Sequence, residues 1–181
     1  MKTRFAVLGS FALALAICAA AQDKPAPVKH DHEAAAKPAP AKPPAAWEKL
    51  QSLSGEWEGT TSESKSATRI TFRRSSGATA LIQTIDPGGK YEMLTIFTLD
   101  KSDVLGTHFC MGNQPRFRAV PTQDPNTLVF ELKDWTGVDA PGHMSKLVLT
   151  MLDADHHYED WTYIINGKTS TDRFEMRRVK N

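Results

Sequence analysis

The chain has 181 residues, with 22 Lys and Arg against 21 Asp and Glu, for a formal net charge of +1. That balance excludes the basic footprint of a nucleic-acid binder and the like-charge tail of a polyanionic interaction arm.

Residues 1–21 read as an export signal. Lys2 and Arg4 supply a positive start, Phe5 to Ala16 an apolar run, and Ala19-Ala20-Ala21 the small side chains of a cleavage site before Gln22. Even with the small residues that crowd its end, the apolar stretch is barely long enough to cross the roughly 30 Å of a bilayer's hydrocarbon. The expectation is therefore a cleaved signal, a secreted protein (periplasmic or extracellular), and no transmembrane segment after cleavage. Ile17 stands before Cys18 where a lipoprotein signal wants a small residue, so acylation of Cys18 is the lesser alternative. Loss of Cys18 with the signal leaves Cys110 as the single thiol, which cannot form an internal disulfide. Such a domain must hold itself together by core burial, even in an oxidising compartment.

Residues 22–46 form a tract rich in Pro, Ala and Lys, with prolines at 25, 27, 38, 40, 43 and 44. It has too few large apolar side chains to offset its ordering entropy and reads as a disordered linker. His30-Asp31-His32 offers two imidazoles on that linker, too little to assign a metal site.

Residues 47–181 read as one all-β domain preceded by a short helical turn from Trp47 to Leu53. The period changes to two after Ser54-Gly55. It gives candidate strands over 56–63, 67–74, 78–86, 90–99, 103–111, 115–120, 127–134, 144–152, 156–165 and 169–179. Turn chemistry separates them, most clearly Asp86-Pro87-Gly88-Gly89, Asp124-Pro125-Asn126 and Asn166-Gly167. No helix signal falls between strands, so they pair antiparallel. About ten sequential strands joined by short turns predict an up-and-down meander, and closing it into a barrel removes the two exposed edges; the rival arrangement is a two-sheet sandwich. The longest stretch without a strand signal, Thr136 to His143, reads as a lid loop at one mouth.

Leu53-Ser54-Gly55-Glu56-Trp57-Glu58-Gly59 resembles the Gly-x-Trp opening of the calycin barrels, the lipocalins and fatty-acid-binding proteins, and its Trp-Glu-Gly form is most similar to nitrobindin-like haem barrels. The resemblance implies a lipocalin-like barrel with Trp57 at its floor. His108-Phe109-Cys110-Met111-Gly112-Asn113-Gln114-Pro115-Arg116, with Asp153-Ala154-Asp155-His156 and Trp161-Thr162-Tyr163, is similar to an uncharacterised family of secreted bacterial proteins, which brings no reaction with it. Nitrobindin-like barrels hold haem on a late-strand histidine. The run 168–178 here has none, so that implication departs from the motif. The fatty-acid-binding resemblance would make Arg173 a carboxylate anchor, against a surface role for it.

The residues themselves suggest one binding region. Gly106, His108 and Cys110 share one face of the fifth strand; Leu105, Thr107 and Phe109 share the other. The small, polar set suits a ligand cavity, the bulky set a plain core, and period alone does not choose. The strand runs into Asn113, Gln114 and Arg116, whose amides and guanidinium could fix a polar head. Trp161 and Tyr163 share a face with Glu159 and form either a pocket wall with a buried acid or a core face with the acid at the rim. Cys110 is either an apolar filler or a reactive thiol. There is no Gly-x-Ser-x-Gly, His-Glu-x-x-His, Cys-x-x-Cys or P-loop. The expectation is thus a binding protein rather than an enzyme. A small apolar or amphipathic ligand would be held by His108, Cys110, Asn113, Gln114, Arg116, Trp161 and Tyr163, with no catalytic or metal residue assigned and no cofactor named. The alternatives are a haem or enzymatic barrel using His108, and a structural envelope-associated domain.

Overall fold

A computed structural model describes residues 44–110, 112–138 and 140–180. The signal at 1–21 and nearly all of the 22–46 tract lie outside the described residues. The described chain opens with helix α1 (Ala45–Ser52), followed by β1 (Gly55–Thr61), β2 (Ala67–Ser75), β3 (Ala80–Ile85), β4 (Met93–Asp100), β5 (Asp103–Phe109), β6 (Asn113–Val120), β7 (Thr127–Gly137), β8 (Gly142–Met151), β9 (His156–Ile165) and β10 (Lys168–Arg178). Every strand pairs antiparallel with its sequence neighbours, and β1 pairs with β10 to close the barrel. The ten-strand up-and-down barrel expected from the period-two pattern is the observed fold.

Two elements differ in length from expectation. Helix α1 has two turns rather than one, because Ala45 and Ala46, good helix formers, extend it back to Pro44. The expected lid at 136–143 shrinks to the link 138–141. Thr136 and Gly137 continue β7 opposite Gln114 and Asn113, and Gly142 and His143 open β8 opposite Ile165 and Ile164.

One end of the barrel is plugged. Trp47, Leu50 and Leu53 of the helical segment are buried beneath Trp57 of β1. The Trp57 indole donates to the Leu53 carbonyl at 2.7 Å and meets the His157 ring edge-on at 4.2 Å. Arg178 lies over the Trp57 ring at 4.2 Å while its guanidinium donates to the carbonyl of Ser54 and to that of Ser52, the last residue of α1, which the helix leaves open. Gly59 is needed where β1 meets β10: a Cβ there would stand 1.8 Å from the Glu175 carbonyl oxygen. Leu81, Phe97, Phe130, Leu147 and Leu149 fill the space above this floor, and Gly106 leaves room for the Phe97 ring.

The other end is looser. Pairing between β7 and β8 stops at Glu131 and Lys146, although β7 stays on β6 up to Gly137 and β8 stays on β9 up to Gly142. The wall splits there. Asn113 spans the gap, its buried side-chain amide donating to the Gly142 carbonyl at 2.9 Å. Outside, Trp135 of β7 stacks on His143 of β8 at 4.5 Å and 14°.

Candidate functional site

Inward positions in the middle of the barrel carry a belt of polar side chains: Gln83, Thr95, His108, His157 and Glu159 are all fully buried. Their strand positions place them. Gln83 sits between Leu81 and Ile85 on the inner face of β3, and Thr95 faces it across the β3–β4 ladder. His108 faces Thr95 across the β4–β5 ladder. His157, Glu159 and Trp161 alternate inward along β9.

Glu159 is the hub. Its Oε2 accepts from Gln83 Nε2 at 2.7 Å and from Trp161 Nε1 at 3.0 Å, while Oε1 lies 3.1 Å from His157 Nε2. A buried acid is tolerated because donors surround it. Of the two readings of this face, the buried acid is the observed one; Glu159 is not at the rim.

Between this belt and the open end lies a cavity of about 240 Å³, walled by Ile85, Met93, Met144, Phe174, Trp161 and Tyr163, with His108 within and Glu63, Ser170 and Asp172 at the mouth. His108 stacks obliquely on Trp161 at 4.6 Å and shares a 2.9 Å hydrogen bond between Nδ1 and the Thr95 hydroxyl. Among the described residues its Nε2 has no partner, nor do His157 Nδ1 and Gln83 Oε1. Burial lowers the His108 pKa from its ordinary 6.5 to about 4, so the ring is neutral at physiological pH.

That shift fixes a pH dependence. The unfolded chain protonates this histidine near 6.5 and the folded chain only near 4, so the unfolded state binds the extra proton between them. Stability attributable to His108 is full above about 6.5, falls as pH drops, and is lost by about 4. The loss is on the order of 3 kcal/mol. Urea unfolding of the wild type and His108→Phe between pH 7.5 and 4 checks it: the variant should show a shallower decline. Parallel curves would mean that the imidazole is protonated freely in the fold.

Three of the seven expected site residues, His108, Trp161 and Tyr163, meet at the cavity. On β5 Gly106 and His108 of the small, polar set point inward and Phe109 outward. The other four belong elsewhere. Arg116 is outside the barrel, forming a two-pronged ion pair with Asp134 of β7. The cause is strand alternation: Pro115 and Phe117 take the buried positions of β6, leaving Gln114, Arg116 and Arg118 to the outer face. Gln114 binds the Gly112 carbonyl and Thr136 across the turn. Asn113 bridges the split wall. Cys110 is half-buried, bridges to Asn113 and does not join the cavity lining; burial raises its thiol pKa. Arg173, the carboxylate anchor implied by resemblance, is also outside, held by both oxygens of Asp160.

Gln83, Thr95, Met93 and Met144 were not expected at the site. A lone Gln or Thr at an otherwise apolar inward parity was the available signal for the first two. The two methionines look like any core filler.

The comparisons add little to this geometry. No family model and no curated protein matches the chain. Among solved structures, a protein of unknown function from the DUF3598 family of Nostoc punctiforme is similar at 12% identity and a TM-score of 0.41, over 72% of this chain and 48% of that one.

The haem implied by the nitrobindin-like resemblance does not fit. An engineered cavity of about 150 Å³ takes benzene, so about 240 Å³ takes one ring with a short arm, not a tetrapyrrole.

Proposed function

We propose that this protein is a secreted, calycin-like carrier, periplasmic or extracellular, that holds a small apolar or amphipathic molecule inside its barrel. The observation that carries the reading is the cavity with His108 in its lining, a fully buried ring whose Nε2 has no partner among the described residues. A polar atom so placed is costly unless something bonds to it, and the surrounding wall of aromatic, aliphatic and thioether groups suits an apolar body. The Gly-x-Trp opening around a floor tryptophan supports the calycin kinship. The export signal and its linker support a protein tethered or released outside the cytoplasm.

Para-ethylphenol, one ring with an ethyl arm and a hydroxyl, is a probe of the right size. At a hundredfold excess over Kd it should stabilise the fold by about 2.7 kcal/mol, read as a rise in Tm. His108→Ala should shrink that rise by more than it lowers the ligand-free Tm. Arg116→Ala should leave the rise unchanged, since that side chain faces solvent on the outer wall. No rise with the wild type, or an equal rise in His108→Ala, would remove the site from the cavity.

A further inference from the structure

We infer that the cavity takes a compact molecule with two polar ends, a cationic amine at the mouth and a hydroxyl at the inner end. This rests on the carrier reading and narrows it to a charge sign and a substrate class. The first observation is the sign of the lining. Among the described residues, the charged side chains of the cavity lining are Glu63 and Asp172, both at the mouth, with no lysine or arginine beside them. Lys65, Lys90 and Lys168 stand at the same end of the barrel, exposed, and none reaches the lining. Asp172 is partly buried and uses Oδ1 to accept from the Ser62 hydroxyl and the Glu63 backbone N–H. That anchors the 62–63 segment and holds the two carboxylates on one side of the opening. An anionic head would meet only like charge there; an ammonium would meet two partners.

The second observation is independent and lies at the far end. His108 is in the lining of the cavity, and its fully buried Nε2 has no partner among the described residues. Thr95 engages Nδ1, so the ring presents Nε2 either as acceptor or as donor according to its tautomer. A hydroxyl answers both roles, because it donates and accepts. Between the two ends the wall is apolar, and its volume allows a single ring with a short chain. Trp161 and Tyr163 give that ring aromatic neighbours.

Four probes of nearly one size separate the possibilities by isothermal titration of the purified chain at low salt and pH 7.5. They are tyramine, para-ethylphenol, phenethylamine and para-hydroxyphenylpropionate. Tyramine should bind about fivefold to tenfold more tightly than para-ethylphenol, the scale of a partly exposed ion pair with two acceptors. The propionate should be the weakest of the four, and the tyramine preference should shrink at high salt. Phenethylamine, lacking the hydroxyl, should fall below tyramine in the wild type but not in His108→Ala. Glu63→Gln should reduce the amine preference, and Glu63→Lys should reverse it in favour of the propionate. Both changes are at an exposed side chain and leave the Asp172 anchor in place. Binding of para-ethylphenol with no gain for tyramine overturns the amine assignment while leaving the carrier reading standing. Failure of all four probes overturns both. A tyramine preference that survives Glu63→Lys places the cation elsewhere and overturns the mouth assignment.

Discussion

Replacing Glu159 by alanine should cost about 3–5 kcal/mol, the range for breaking a buried charged network by removing one member. The carboxylate accepts from Gln83 and Trp161 and faces His157 Nε2, all inside the barrel. Its loss strands those groups, each costing about 1–3 kcal/mol without a partner, and opens a hole beside the cavity. Glu159→Gln should be milder, because the remaining carbonyl oxygen can keep both the Gln83 and Trp161 bonds while the amide occupies the position facing His157. Urea denaturation gives the three values. Equal losses for the two variants would mean that the hub acts by volume alone; a loss under about 1 kcal/mol for alanine would mean that the network is decoration.

Trp57→Ala should be of similar size, about 3–5 kcal/mol for a large buried side chain. The indole is 1% exposed and stands where α1, β1, β9 and β10 converge. It supports the helix through its bond to the Leu53 carbonyl, the His157 ring by edge contact, and the Arg178 guanidinium by its face. Trp57→Phe should retain most of the buried ring and lose the hydrogen bond, a cost of about 1–2 kcal/mol. Thermal melts of both variants, followed by near-ultraviolet circular dichroism, separate these contributions. If alanine at 57 leaves Tm within a few degrees of wild type, the helix is not the floor of the barrel.

Strand number and order could be read from the chain because each strand carries its own period and its own turn residues. Asn166-Gly167 shows it: both residues adopt positive φ between β9 and β10, as the dipeptide requires. The Glu159, Trp161 and Tyr163 face of β9 was legible only as two alternatives, because alternation groups these residues without saying whether the acid is buried; its donors, Gln83 and Trp161, decide that. Arg116 misled because three hydrogen-bonding residues adjacent in sequence look adjacent in space. On a strand, alternation sends their neighbours to opposite sides, and Phe117 on the inner parity settles which side the arginines take. The belt itself joins β3, β4, β5 and β9, and its pairwise contacts depend on register. No single segment contains that information. Gln83 meets Glu159 only because the barrel closes.

The closure of β1 on β10 also governs how the molecule can come into being. Residues 57–61 wait for 174–178, and Arg178 reaches back to the backbone of Ser52 and Ser54. Until the final strand arrives, β1 and β9 both present unpaired backbone edges, the template on which a second incomplete chain can add. The floor tryptophan then lacks its guanidinium cover, and the helix lacks the arginine that binds its last carbonyl. The closing ladder spans most of the sequence, the non-local kind of pairing that forms slowly, in milliseconds to seconds for β barrels rather than microseconds. During that interval the protein's solubility rests on whatever keeps its open edges apart.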